Sequence, residues 1–136
     1  MSEPRNLCLH AVTLLVDDYD EAIAHYVGDL GFTLLEDTPL EAGKRWVRVS
    51  PDPEGQTALL LAVASTESQR SAVGCQTGGR VGFFLHTADF DGYHDRLIAA
   101  GVDVTEEPRR EPYGTVVVFR DRYGNRWDLI QPSGSP

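Results

Sequence analysis

VTLLVDDYDEAIAHYVGDLGFTLLED (Val12–Asp37) decides the fold of this chain, because its pattern returns as GFFLHTADFDGYHDRLIAAGVDVTEE (Gly82–Glu107). Each stretch reads as an apolar strand, an acid-capped helix, a glycine and a second strand. Gly31 and Gly101 occupy the same point of the two copies, 70 residues apart, and RWVRV (Arg45–Val49) answers TVVVF (Thr115–Phe119) at that offset. A repeat of this length means two like modules. Two related half-sheets facing one another would leave a cleft, and clefts hold ligands.

Outward from the repeat, residues 7–16 form the first strand. Asp18 with Glu21 starts a helix whose apolar face is Ala22, Ile23, Tyr26, Val27 and Leu30, closed by Gly31. FTLLE, RWVRV and TALLLAVA supply three more strands. Residues 65–80 are polar and aperiodic and read as a linker. The second module runs over 81–131: a strand to His86, a helix over about 89–100 with Phe90, Tyr93 and Leu97 on one face, then VDVTE, TVVVF and RWDLIQ. DRYGN (Asp121–Asn125) marks a hairpin turn. Residues 132–136 read as a disordered tail. The expectation is one α+β domain over 1–136, made of two tandem βαβββ modules (7–64 and 81–131) that form a curved-sheet cup.

Composition narrows the partners. With 21 Asp and Glu against 12 Lys and Arg, the net charge of −9 opposes phosphate backbones, so nucleic acid is not an expected partner. No apolar run is long enough for a membrane span, and MSEPRN does not read as a signal peptide. A cytoplasmic protein is expected. Cys8 and Cys75 form no CxxC pair and read as free thiols.

In VTLLVDDYDEAIAHYVGDLGF, VGFFLHTADFDGYHDRLIAAGV and YGTVVVFRDRYGNRWDLIQP, taken in this order, the chain resembles the vicinal oxygen chelate superfamily. That superfamily holds glyoxalase I, bleomycin-resistance proteins and extradiol dioxygenases. The resemblance spans about Leu9 to Gln131. It implies a cup with metal ligands on the first and last strand of each module, at positions that fall here on Ala11, Leu61, Gly82 and Asp128. Only Asp128 carries a donor atom, and a catalytic metal wants three or more protein ligands. The expectation is therefore no metal and no cofactor, a divalent metal being the alternative. His10 lies beside the first position but points to the opposite face by alternation. His25 and His94, on the helices, read as solvated.

Alternation anchored on those four positions places Thr13, Leu15, Leu59, Leu61, Phe84, His86, Arg126, Asp128 and Ile130 in the cup, with Trp46 and Arg48 joining from a middle strand. Thr13, Trp46, Arg48, Phe84, His86, Arg126 and Asp128 are the candidate ligand-binding residues. Arg48 and Arg126 would suit an anionic group. Asp128 is the candidate catalytic residue, a general base raised in pKa by an apolar setting. The leading expectation is metal-independent binding of a small, partly apolar molecule by a homodimer. The alternatives are a lyase or dioxygenase-type enzyme whose metal site escapes this alignment, metal-free catalysis through Asp128, or an interaction module whose cup its own side chains fill.

Overall fold

The computed structural model describes residues 6–134, so the start of MSEPRN and the last two residues of the tail lie outside it. The chain divides after Ala64 into two compact units. No helix among the described residues is long and apolar enough to cross a membrane.

In the first unit, β1 (Ala11–Val16), β2 (Thr33–Pro39), β3 (Arg45–Ser50) and β4 (Ala58–Val63) form a sheet of order β1-β4-β3-β2. β1 lies parallel to β4, and the other pairs are antiparallel. Between β1 and β2 runs α1 (Tyr19–Ile23), continued by a π-helical segment, Ala24–Asp29. Asp18 caps it, its Oδ2 accepting the Glu21 amide at 2.8 Å, as the acidic start of the sequence suggests. Gly31 ends it with φ of 76°, and Gly101 does the same after the later helix with φ of 74°. A left-handed backbone at both points is what makes glycine recur there.

Packing selects one face of this sheet. Leu14 pairs with Leu61, and Leu61 with Val47, and all three are fully buried. With Val16, Val49, Ala22, Tyr26 and Leu30 they make the core between sheet and helix. Burying each large aliphatic side chain contributes about 1.5–3 kcal/mol. Arg45 ties the outer edge together, bonding Asp37 on β2 and Asp20 on α1 while its guanidinium lies 5.2 Å from the Tyr19 ring centroid.

In the second unit, β5 (Phe83–His86), β6 (Asp103–Val104), β7 (Arg109–Glu111), β8 (Gly114–Arg120) and β9 (Arg126–Pro132) form a sheet of order β5-β9-β8-β6, with β7 also pairing β8. Its helices are α2 (Glu67–Ala72) and α3 (Phe90–Ala99). Asp89 caps α3 through the Gly92 amide, and Gln131 Oε1 on β9 accepts the Phe90 amide at 2.8 Å. Phe90, Leu97, Val117, Phe119, Trp127 and Leu129 are buried. Trp127 stacks between Phe83 and Phe119, with centroids at 4.5 and 5.9 Å.

Several sequence expectations need correction. The first strand begins at Ala11, not at residue 7, because β4 starts only at Ala58 and offers the earlier residues no ladder. Residues 65–80, read as linker, contain α2, capped by Thr66. None of its residues is buried, so no apolar period announced it. β7 was not expected either. His25 is 6% exposed rather than solvated, since the buried stripe runs Ala22, His25, Tyr26, Leu30 and its ring meets Asp29 Oδ2 at 2.9 Å. The tail is partly ordered: Pro132 ends β9, and Ser133 bonds the carbonyls of Tyr113 and Pro112.

Candidate functional site

Each sheet has a second face, opposite its core, and the candidate residues sort onto these two faces by pairing register. In the first unit a row crosses all four strands: Thr13 pairs with Leu60, Leu60 with Arg48, and Arg48 with Glu36. Trp46 shares this side of β3, opposite Thr38. Glu36 Oε1 accepts from Arg48 Nε at 2.9 Å and from Trp46 Nε1 at 3.1 Å. Glu36 thus fixes both the arginine and the indole. The sequence reading passed over it, because a bulge between Leu34 and Glu36 breaks the alternation of β2.

One assignment on this face is wrong. Leu61 belongs to the core with Leu14 and Val47, and Leu59, which pairs with Val12 and Val49, sits on the same side. The open face of β4 carries Ala58, Leu60 and Ala62 instead. The slip moved every residue of that strand to the other face.

In the second unit Phe84 pairs with Asp128, which pairs with Val118. His86 pairs with Ile130 and Ile130 with Val116, and Arg126 pairs with Arg120. Phe84, His86, Arg126 and Asp128 therefore share one face. Phe84 is 64% exposed, and His86 and Arg126 are also exposed. Asp128 Oδ1 is buried with no hydrogen-bond partner among the described residues, and so is Arg120 Nε. Burial pushes the Asp128 carboxyl above its ordinary pKa; Arg109 pulls it back and Glu106 adds to the rise. Arg109 is itself held by Glu106 and Glu111.

A divalent metal, which the resemblance implies, does not fit these residues. The open faces of β1 and β4 offer Ala11, Leu60 and Ala62 where donors would be needed, so correcting the register changes no chemistry. At Gly82 there is also no room, because a Cβ would come 2.7 Å from Thr77 Cγ2 in the segment after α2. Asp128 stands alone as a metal donor on the open face of its strand. His10 is exposed and precedes β1. No group of three or more His, Cys, Asp or Glu side chains among the described residues is placed to hold a metal ion.

Buried nearby is a second carboxylate with the opposite character. Asp121, 4% exposed, accepts the amides of Tyr123 and Asn125, the Asn125 side-chain amide and Trp127 Nε1 at 3.0 Å. It shapes the DRYGN turn and orients Trp127. Opposite the turn, Gly74 approaches so closely that a Cβ would overlap the Tyr123 carbonyl. The segment after α2 is thereby seated on the β8–β9 turn.

Two half-sheets of this topology, each with one helix-packed and one open face, define a member of the glyoxalase/bleomycin resistance protein/dioxygenase superfamily. The chain belongs to that superfamily, whose family model matches residues 9–129. It is 49% identical over 121 residues to an uncharacterized protein of Shewanella frigidimarina, covering 88% of this chain and 90% of the relative. Among solved structures it is similar to UcmS2, with a TM-score of 0.79 and 30% identity, covering 93% of this chain and 98% of that one. It is also similar to TnmS3, an antibiotic binding protein from Streptomyces sp. CB03234, with a TM-score of 0.74 and 30% identity over 96% of this chain and 100% of that one.

Proposed function

We propose that this protein binds a small, partly apolar organic molecule, without a metal, on the open faces of its sheets. The observation that carries the reading is Phe84, 64% exposed beside the under-bonded Asp128 carboxylate, on a face where the family's metal chemistry has lost its donors. An exposed aromatic with a few placed polar groups is the usual composition of a small-molecule site. Trp46 with Arg48, both held by Glu36, offers the same combination on the other sheet. The similarity to TnmS3, an antibiotic binding protein, supports a small-molecule ligand. A thermal-shift screen of aromatic and polycyclic ligands tests the reading, with metal content measured on the same sample. Stabilisation by at least one such ligand with no stoichiometric metal is expected. One metal per chain after mild purification would overturn it.

The raised pKa of Asp128 favours one second reading, metal-free proton transfer with this carboxyl as base. It requires turnover of the bound ligand that Asp128→Asn abolishes while binding persists. We also infer a cytoplasmic homodimer. β1 is an edge strand, and Leu7, Leu9 and Val12 are exposed along and before it, a surface that a second copy would cover. Light scattering at micromolar concentration should give the mass of two chains, and the mass of one chain would count against the dimer.

A further inference from the structure

We propose that Asp128 and Phe84 together recognise a cationic amine on the ligand, a deepening that rests on the binding reading above. Two independent observations converge on one spot. Asp128 has a buried oxygen that no donor among the described residues satisfies. A carboxylate that has lost the hydration of one oxygen without replacement is poorly solvated as a whole, so a ligand N–H bonding the group gains more than at a fully solvated carboxylate. The residue is only half-buried, which leaves the carboxyl group approachable from the open face.

Phe84 is the second observation. It pairs directly with Asp128 across β5 and β9 and is largely exposed. Its ring presents a negative π-face next to a negative carboxylate. Neither group attracts an anion, and both attract an ammonium, the first by cation–π contact and the second by a charge-assisted hydrogen bond. Val118 and Ile130 keep the immediate surroundings apolar.

The competing charges lie on the same sheet. Arg109, whose field reaches Asp128, is neutralised by Glu106 and Glu111. Arg126 sits two positions along β9 on the same face and is exposed. Arg120, its register partner, shares that face and has a buried Nε with no partner among the described residues, so these two arginines are the groups that would favour an anionic ligand instead.

Three probes that share a phenyl ring and differ in charge separate these outcomes: 2-phenylethylamine, 2-phenylethanol and 3-phenylpropionate. Their affinities are read by amide chemical-shift titration of the full chain at neutral pH, for wild type, Asp128→Asn and Phe84→Ala. The amine should bind about tenfold more tightly than the alcohol, and more tightly still than the carboxylate. Asp128→Asn should bring amine and alcohol to within about twofold of each other, and Phe84→Ala should weaken all three. Unchanged amide spectra away from the site establish that both variants fold. Equal binding of amine and alcohol, or a preference that survives Asp128→Asn, overturns the inference and leaves the binding reading standing. Tighter binding of 3-phenylpropionate overturns it in favour of an anion held by Arg126 and Arg120. No binding of any probe at millimolar concentration overturns both.

Discussion

Asp121 and Asp128 lie at opposite ends of one short stretch, the turn into β9 and its open face, and they are treated in opposite ways. Asp121 is sealed in and collects four donors, from two backbone amides, an asparagine side chain and an indole. Asp128 stands half-open with a buried oxygen that collects none among the described residues. The first pattern is what a structural carboxylate looks like, because the desolvation of every polar group is repaid within the fold. The second costs stability and is repaid by no donor among the described residues. In the first unit Glu36 stands between them, with two donors on one oxygen and part of its surface in water.

The contrast predicts a graded series. Asp121→Ala should be the most damaging substitution, because it strands Trp127 Nε1 and the turn amides in a buried setting. With two or more orphaned donors at about 1–3 kcal/mol each, a loss of about 2–6 kcal/mol is expected in urea unfolding. A loss under about 1 kcal/mol would show that water replaces the carboxylate, and the structural reading of the turn would fall.

Second in size is the test of which face is core. Leu61→Ala should cost about 2–5 kcal/mol, since the side chain is fully buried against Leu14 and Val47. Leu60→Ala, one residue earlier on the open face, should cost far less. If Leu60 proves the costlier truncation, the face assignment of β4 is inverted and the row from Thr13 to Glu36 is not a surface.

Most of the fold was legible because local signals agreed with each other. The repeat, the two acid caps and the paired glycines at Gly31 and Gly101 all pointed to the same modules. The faces of β1, β3, β5 and β9 followed from alternation anchored on the positions that the family resemblance supplied. Leu61 failed because all six residues of β4 are apolar and carry no period; only its pairing with Leu14 and Val47 fixes the register. Glu36 was hidden by the bulge in β2. His25 was hidden by the assumption that an imidazole on a helix faces water, where the inward stripe of α1 and its π-helical extension gives it Asp29 as partner. Asp121 looked like a mere turn former, since no sequence pattern discloses that a turn residue is buried. The lone state of Asp128 was beyond sequence reading too, because it depends on what fails to reach a side chain in three dimensions.

Glu36→Ala comes next. It removes the common acceptor of Trp46 and Arg48, yet water reaches the site, so about 1 kcal/mol is expected in urea unfolding. The more telling readout is Trp46 fluorescence, which should shift as the indole loses its partner. An unchanged emission would mean that the indole is positioned by packing rather than by Glu36, and the middle member of the series would drop out.

Asp128→Asn should have the smallest effect on stability, and of the opposite sign. The folded state raises the pKa of this carboxyl, chiefly by burial, so folding favours its neutral form. Whatever Asp128 contributes is fully present below the unfolded pKa, near the ordinary carboxyl value of 3.8, and is lost as pH rises through the folded value above it. At neutral pH the wild type therefore carries a desolvated charge that asparagine avoids. The variant should melt slightly higher than wild type at pH 7, and the difference should shrink as pH falls toward 4. Melting curves from about pH 4 to 7 provide the check. If Asp128→Asn instead melts lower at neutral pH, the carboxylate has a stabilising partner in solution. Asp121 and Asp128 would then differ only in degree, and the case for a ligand at Asp128 would lose its first support.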